Sequence, residues 1–374
     1  MKKLPKAKIV TLFITHSCNL NCTYCFEKHK DNKTMPLELA QKIILDEILQ
    51  IKKSSINDAI KIDLFGGEPL LNFSFIKDFT EWAAQNVDIP YIIYATTNGT
   101  LLDDCKKEWF RKHKDEIVLV MSVDGDSAMQ LKNRGCDSAE LPLEFVAELW
   151  EEQPFKMTIS KSSLNTLADG VLSLLKKGYL VEGRLAQGEN WTKEDAVIYK
   201  EQLEKMAQFY LNDYQPNGLF TKLYPDILRN EKVPHKCCGT GTNMIAYDVD
   251  GSTFPCHIFS PIVLGENKSE ELKKINFYNN EDLIEKSCLK CVMVNMCSTC
   301  IGYNYYKRGD VKKRDKSMCC MMLAEAKIIS AFQINYYMKK SENLTDDELV
   351  RLDSSIKVYE KLKNVEFDDI LSIK

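Results

Sequence analysis

Six short runs of β-branched and apolar residues alternate with helical segments over residues 8–212, and this alternation constrains the fold most strongly. The runs predict strands at Lys8–Thr15, Ile60–Phe65, Tyr91–Thr96, Ile117–Val123, Phe155–Ser160 and Leu180–Ala186. Helices are predicted at Pro36–Lys52, Phe73–Asn86, Asp103–Lys112, Leu141–Glu151, Leu164–Lys177 and Thr192–Asn212. Nearly continuous apolar strands are typical of a parallel sheet covered by helices. The sequence therefore predicts an α/β fold, either a doubly wound open sheet or a partial barrel.

Unusual polar residues and cysteines follow the ends of these predicted strands. They are three cysteines after the first strand, then Gly66-Gly67-Glu68-Pro69, Thr97-Asn98-Gly99, Ser122-Val123-Asp124-Gly125, Ser160 and Gln187. All strands of a parallel sheet end at one edge, where such folds bind ligands. A common turn explains several of these motifs singly, but not their shared position. We therefore expect them to meet at one ligand-binding mouth.

The cysteines are numerous and unevenly distributed. Of fourteen, three lie at Cys18, Cys22 and Cys25, nine lie between residues 237 and 320, and only Cys105 and Cys136 lie between these groups. The apolar run Ile9–Ile14 is too short for a secretion signal, so disulfides are not expected. Thiols at this density indicate metal binding. Three of them would leave one iron of a cubane cluster without a protein ligand.

Charge and composition exclude several classes of partner. The formal net charge is −4 and the hydrophobic content is 44%, which is ordinary for a globular protein. No nucleic-acid or anionic membrane partner is predicted from this charge. No apolar run reaches the roughly 18 residues that a membrane-spanning helix needs. We expect a cytoplasmic protein with no membrane association.

The first half of the chain resembles the radical S-adenosylmethionine (SAM) superfamily. The resemblance rests on the Cys18-x3-Cys22-x2-Cys25 spacing with its aromatic neighbours Tyr24 and Phe26, and on Gly66-Gly67-Glu68-Pro69 after the second strand. It implies a partial (β/α)6 barrel over residues 8–212. It also implies that the three cysteines hold a 4Fe–4S cluster whose open iron binds SAM. Reductive cleavage of SAM would yield a 5′-deoxyadenosyl radical that removes hydrogen from a substrate carbon.

The same resemblance implies a set of SAM contacts. The backbone of Gly66 and Gly67 and the carboxylate of Glu68 would receive the cofactor's ammonium group, a role that suits glycine and a carboxylate. Tyr24 and Phe26 would lie near the adenine. The ribose and methionine contacts would be Ser122 and Asp124. The alternative is a zinc knuckle, for which His16 and His29 are the local candidates for a fourth ligand.

The distant cysteines form a second motif. Cys238 is followed after twelve residues by Gly251, where Asp250-Gly251 predicts a hairpin turn, and then by Cys256. Cys288-x2-Cys291-x5-Cys297-x2-Cys300 and the pair Cys319-Cys320 complete the motif. The Cys-x2-Cys pairs alone favour zinc. The order of the whole motif instead resembles the SPASM extension of radical SAM enzymes, which carries one or two auxiliary iron–sulfur clusters.

The SPASM resemblance implies a ligand assignment and three 4Fe–4S clusters in all. Cys238, Cys256 and Cys300 would bind the first auxiliary cluster, although Cys300 follows Cys297 after two residues where the family usually has three. The second cluster would be bound by Cys288, Cys291, Cys297 and Cys319. Cys237 and Cys320 are spare cysteines that could substitute. With three protein ligands, the first auxiliary cluster would have an open iron for a substrate donor.

These patterns predict a division of the chain into four parts: a radical SAM barrel at 1–212, a bridge at 213–236, the SPASM domain at 237–340 and a C-terminal helix at 341–374. A helix is predicted at Met321–Lys339. The last helix is predicted to start at Thr345, with Glu348 completing a capping box. Its apolar positions, predicted to pack on the barrel, are Leu349, Leu352, Ile356, Tyr359 and Leu362.

Family members with this extension mostly act on peptides and proteins. Anaerobic sulfatase maturases, which make formylglycine, carry an aspartate directly after the cysteine equivalent to Cys256, whereas this chain has His257. The stretch Cys256-His257-Ile258-Phe259 is more similar to ribosomal-peptide maturases, which form thioether or carbon–carbon crosslinks. His257 is the predicted catalytic residue. An epimerase, with Cys136 as hydrogen donor, and a non-catalytic electron carrier or zinc scaffold are the alternatives.

The expected partners follow from the same resemblance. They are a peptide or protein substrate and a flavodoxin or ferredoxin-type reductant. Because the cysteines begin at residue 18, we expect no room for a leader-recognition domain of roughly 80 residues before them. Leader recognition must then use the barrel mouth, the bridge at 213–236 or a separate leader-recognition protein, which is the predicted partner in the third case.

Overall fold

The computed structural model describes residues 4, 6–54, 56–212, 214–229, 236 and 238–373. Cys237 and part of the predicted bridge lie outside the described residues. Within them the strands are β1 Ala7–Thr15, β2 Ala59–Gly66, β3 Tyr91–Thr97, β4 Ile117–Met121, β5 Phe155–Ile159, β6 Val181–Leu185, β7 Met244–Tyr247 and β8 Thr253–Phe254.

The helices up to the bridge are α1 Leu37–Lys53, α2 Phe73–Asn86, α3 Asp104–Lys112, α4 Ser127–Arg134, α5 Leu143–Leu149, α6 Leu167–Leu175, α7 Lys193–Leu211 and α8 Pro225–Arg229. Those after it are α9 Pro261–Leu264, α10 Ser269–Leu272, α11 Ile301–Arg308, α12 Met318–Lys339, α13 Asp346–Leu362 and α14 Phe367–Leu371. All six predicted strands form, as do the predicted helices of the first 212 residues. Among the described residues six helices, α4, α8 to α11 and α14, had no counterpart in the prediction, which placed a single helix after residue 341.

The main sheet has the order β4-β3-β2-β1-β7-β8 and is parallel except for β8. Strand β1 lies at its centre, and its residues Val10, Leu12, Phe13 and Ile14 are fully buried. Leu12 pairs with Leu64 on one side and Tyr247 on the other. The α/β class is confirmed. However, the six predicted strands hydrogen-bond as a group of four and a separate β5-β6 pair, and β7 occupies the free edge of β1.

The chain folds as two compact units, each made of separate stretches. The first contains Met1–Val123, Arg134–Phe155 and Cys238–Tyr278, and the second contains Asp124–Asn133, Lys156–Cys237 and Asn279–Lys374. The first unit is built on the main sheet. In the second, the long helix α12 packs against α7 and α13. No helix in the described part of the chain is both long and apolar enough to cross a membrane.

The local signals were accurate at the helix starts and at the hairpin. Thr192 and Thr345 each form the predicted capping box, with Asp195 and Glu348 as the partners. Strands β7 and β8 form the predicted hairpin, and Gly251 turns it with a φ of 84°. Helix α12 begins three residues before the predicted Met321.

The predicted buried face of α13 was wrong at three of its five positions, whereas Leu362 is fully buried and Leu352 is half-buried. Leu349 is 49% exposed and Ile356 43% exposed, whereas Ser354 and Ser355 are buried. The serines point inwards because they have partners: the Ser355 hydroxyl donates to the Gln333 amide oxygen of α12 at 2.6 Å. The helix packs on α12 and α8 with Val358, Leu362 and the hydrogen-bonded serines as its buried face.

Candidate active site

The cysteine loop that follows β1 lies against the glycine pair that ends β2. The Gly67 N–H donates to the Thr15 carbonyl at 3.1 Å, and the Glu68 N–H donates to the Ser17 carbonyl at 2.8 Å. A Cβ atom on Gly66 would lie 1.9 Å from the Thr15 oxygen, and one on Gly67 would lie 2.3 Å from the Ser17 oxygen. Both positions therefore require glycine, because the two backbones approach too closely for any side chain.

The Glu68 carboxylate joins the ends of β2 and β3. It is 1% exposed and accepts hydrogen bonds from the Leu70 N–H at 3.0 Å, the Thr97 hydroxyl at 2.7 Å and the Asn98 N–H at 2.7 Å. Burial raises the pKa of Glu68, and these three donors oppose that effect. The contact with the SAM ammonium predicted for this carboxylate stays a prediction.

Further hydrogen bonds extend this contact network to the other strand ends of the first unit. The Asn98 side-chain amide donates to the Asn19 oxygen at 2.9 Å, so the loop after β3 holds the cysteine loop. The Ser122 N–H donates to the Thr97 carbonyl at 2.9 Å. The polar motifs after the first four strands thus do meet, as expected for a parallel sheet.

Asp124 belongs to the second unit, and its placement gives it a structural role. Its fully buried carboxylate accepts hydrogen bonds from the Thr158 N–H at 2.9 Å and from the Asn133 amide at 3.3 Å. The Ser160 hydroxyl donates to the Asn133 oxygen at 2.7 Å in the same unit. These bonds tie the segment after β4 to β5. A cofactor contact of Asp124 stays a prediction.

Cys18, Cys22 and Cys25 lie half-buried on one turn-rich loop. The Cys25 N–H donates to the Cys22 carbonyl at 3.1 Å, and the Cys18 sulfur accepts a hydrogen bond from the Leu20 N–H at 3.5 Å. Burial raises the pKa of the Cys18 thiol. A lysine missed by the sequence analysis, Lys30, places its Nζ 3.5 Å from the Cys25 sulfur. Three thiols beside a cation are a donor set that fits an anionic iron–sulfur cluster.

His16, a candidate zinc ligand in the sequence analysis, holds the cysteine loop in place instead. Its Nδ1 lies 2.8 Å from the Asp31 carboxylate and its Nε2 lies 2.6 Å from the Asp248 carboxylate. Burial alone would lower the pKa of His16, but the two carboxylates offset this and raise it. Because both ring nitrogens have carboxylate partners, the imidazole joins this loop to the segment after β7. No group of three metal-ligating side chains suited to a single ion occurs among the described residues.

Replacing His16 with alanine is expected to lower the free energy of unfolding by about 3–5 kcal/mol, because Asp248 would remain buried without its partner. The matched control is Asp31→Asn, since Asp31 is the more exposed carboxylate. Its loss should cost less than about 1 kcal/mol. Urea denaturation followed by circular dichroism measures both values. Equal losses of unfolding free energy in the two variants would show that the buried His16–Asp248 contact contributes no more than the exposed His16–Asp31 contact.

Two aromatic arrangements surround the cysteine loop. The Arg134 guanidinium lies 5.5 Å from the centre of the Tyr24 ring. The ring of His257 lies 5.8 Å from that of Phe26 and 5.0 Å from that of Phe65. The structure thus brings His257 and Arg134 to the aromatic residues of this loop, Phe26 and Tyr24. Arg134 was missed because no sequence motif singles out a buried arginine.

A second group of cysteines lies in the second unit. Cys288, Cys291, Cys297 and Cys319 line one cavity of about 70 Å³, together with methionines and Arg314. Burial raises the pKa of all four thiols. The Arg314 guanidinium partly offsets this rise at Cys288, Cys291 and Cys297. Four thiols around one largely apolar cavity, with the cations Arg314 and Lys316 in its lining, fit a four-cysteine cluster.

The remaining cysteines have separate positions. Cys320 is buried on α12, where burial raises the pKa of its thiol, and it is not among the residues lining the four-cysteine cavity. Cys300 caps α11 and accepts a hydrogen bond from the Tyr303 N–H at 3.4 Å. Cys238 lies 3.0 Å from the Thr240 hydroxyl, and Cys256 is buried. Their assignment to one auxiliary cluster stays a prediction.

Comparison with known proteins identifies the first region. Residues 12–180 match the model of the radical SAM superfamily. The chain carries a radical SAM domain. This match includes the three-cysteine loop, the glycine pair and Glu68, which the structure joins by hydrogen bonds. The protein is therefore a radical SAM enzyme.

Two curated relatives extend beyond the radical SAM domain. The radical SAM cyclopropyl synthase TigE of Paramaledivibacter caminithermalis is 24% identical, and the match covers 83% of this chain and 71% of the relative. The cysteine-type anaerobic sulfatase-maturating enzyme of Clostridium perfringens is also 24% identical, with 93% and 98% covered. The similarity to these relatives thus extends into the cysteine-rich C-terminal region of this chain.

Solved structures share the fold. Native anSMEcpe with bound AdoMet and Cp18Cys peptide has a TM-score of 0.65 at 18% identity, and the match covers 91% of this chain and 100% of the other. Streptococcus suis SuiB bound to precursor peptide SuiA has a TM-score of 0.55 at 15% identity, with 83% and 75% covered. Because both identities are below 20%, these matches show a shared fold and nothing more about function.

Proposed function

We propose that this radical SAM enzyme is a peptide maturase that forms a thioether or carbon–carbon crosslink in a ribosomally made peptide. The observation that carries the proposal is the hydrogen-bonded junction of the cysteine loop, the Gly66-Gly67 pair and Glu68. The four-cysteine cavity supports an additional redox centre. The proposal keeps three 4Fe–4S clusters in all and the four-part division of the chain at residues 212, 236 and 340.

Cys18, Cys22 and Cys25 would hold the first cluster, and the backbone of Gly66 and Gly67 would receive the cofactor's ammonium. Bound SAM supplies the 5′-deoxyadenosyl radical that removes hydrogen from the substrate. Arg134 adds a buried positive charge suited to a carboxylate, and Tyr24 offers an aromatic face nearby. Lys30 offsets the negative charge of the thiolates. Ser122 remains the proposed ribose or methionine contact.

Support for a peptide substrate comes from the relatives. Two structural neighbours were solved with a bound peptide, which in SuiB is a precursor peptide. We propose a cytoplasmic enzyme that receives electrons from a flavodoxin or ferredoxin-type protein. A separate leader-recognition protein remains part of the proposal.

Sulfatase maturation is the second candidate, because the sulfatase-maturating relative is matched over 98% of its length. His257 favours the peptide maturase, since the family resemblance implies aspartate at this position in sulfatase maturases. Its ring lies between Phe26 and Phe65, beside the cysteine loop. This placement supports a proton-accepting role for His257 at the substrate.

The test is anaerobic reconstitution with iron, sulfide, SAM and dithionite, followed by mass spectrometry of a peptide encoded beside the gene. Release of 5′-deoxyadenosine with the loss of two hydrogens from the peptide supports a crosslink. Conversion of a thiol to an aldehyde supports formylglycine, and an unchanged mass with an inverted residue supports epimerisation. An intact SAM pool would favour the electron-carrier or scaffold alternative.

Replacing His257 with glutamine is expected to lower the ratio of modified peptide to 5′-deoxyadenosine by about 100-fold or more, as for the loss of a general base. Glutamine keeps much of the side-chain volume between the two phenylalanines. Phe65→Leu is the matched control, because it disturbs the same packing and leaves the imidazole. An unchanged ratio in His257→Gln would assign His257 a packing role only.

A further inference from the structure

The end of the chain contributes to the wall of the four-cysteine cavity. Ile370 and Leu371 of α14 and the following Ile373 line this cavity together with Cys288, Cys291, Cys297 and Cys319. Ile370 is only 4% exposed, whereas Leu371, which also lines the cavity, is 51% exposed. The segment therefore separates the thiols from solvent with aliphatic side chains.

Contacts outside the cavity hold this segment in place. The Lys193 ammonium of α7 lies 2.7 Å and 2.8 Å from the two carboxylate oxygens of Asp368. The Lys327 ammonium of α12 donates to the Val365 carbonyl at 2.9 Å. Glu366 begins α14 with a capping box to Asp369. The short helix is thus attached just before its start and in its first turn, while Ile370 covers the cysteines.

We propose that residues 366–373 form a lid, here called the C-terminal lid, that shields an iron–sulfur cluster in the four-cysteine cavity from water, oxygen and chelators. The inference rests on the proposed function, because it assumes that this cavity holds a cluster. The physical reason is that an apolar shell controls solvent access to a metal site. The lid is distant in sequence from the cysteines. The cysteine spacing alone therefore could not indicate that these residues belong to the site.

The test follows the release of iron from the reconstituted holoenzyme to ferrozine in air. Ile370→Ser, and a chain ending at Val365, should release about four iron atoms per chain at least about tenfold faster than the parent. Ile356→Ser is the matched control, because this isoleucine is exposed on α13 in the same unit and is not among the cavity-lining residues. It should release iron at the parent rate.

Asp368→Ala keeps the test decisive if either lid variant fails to fold. Asp368 is largely exposed and its carboxylate holds the lid through Lys193, so its loss should speed iron release without altering the cavity lining. Release at the parent rate in all lid variants that carry the full iron content would overturn the lid. A parent chain that holds no more than one cluster would instead overturn the proposed auxiliary site. Anaerobic 5′-deoxyadenosine formation reports separately on the radical SAM domain.

Discussion

Replacing any one of Cys18, Cys22 and Cys25 with alanine is expected to abolish SAM cleavage. The three thiols share one half-buried loop, which the Glu68 N–H and the Asn98 side chain hold against the strand ends. Loss of one ligand leaves a cluster with two protein ligands and no stable open iron. Iron content should fall by about four atoms per chain. Anaerobic 5′-deoxyadenosine production and iron quantification measure the two effects.

Cys105→Ala is the matched control for these three variants. Cys105 is exposed on α3, so its thiol is removed without disturbing a packed region. Its iron content and its 5′-deoxyadenosine production should equal those of the parent. Retained cleavage in Cys18→Ala, Cys22→Ala or Cys25→Ala would reject the assignment of the first cluster.

The second large effect is expected from Gly67→Ala. The new Cβ would lie 2.3 Å from the Ser17 oxygen and within 2.7 Å of the His16 oxygen, and both are backbone atoms that cannot rotate away. The cysteine loop must therefore move, which should cost about 1–3 kcal/mol of unfolding free energy, as for other overpacked sites. Because the same shift displaces Cys18 and the proposed ammonium site, SAM binding should be lost. Equilibrium binding and urea denaturation test the two consequences.

Gly183→Ala controls for the addition of a methyl group in a tight place. Its Cβ would lie 3.1 Å from the tip of the Ile159 side chain, which can adopt another rotamer. It should retain SAM binding and lose little stability. SAM affinity in Gly67→Ala equal to that of the parent would show that the close approach does not shape the cofactor site.

Much of the fold was predictable because the decisive signals are local. A buried strand must be apolar along its length, and a helix start needs a capping side chain at a set spacing. The strand runs, the Asp250-Gly251 turn and the capping boxes at Thr192 and Thr345 are all of this kind. The rotation of α13 was not predictable in this way. It depends on Gln333 of α12, whose proximity to Ser355 only the folded chain creates.

The candidate site divides along the same line. The cysteine spacing and the Gly66-Gly67-Glu68 motif are visible in the sequence, because a cluster or cofactor contact requires particular residue types close together in the chain. The partners of His16, the position of Lys30, the pairing of β7 with β1 and the C-terminal lid are not visible there. Each of these features brings together residues that are far apart in the sequence and become neighbours only through tertiary packing, such as Ile370 and Cys288. The spacing of the cysteines in the sequence determines which of them can lie on one loop. Only the tertiary structure determines which distant side chains surround them.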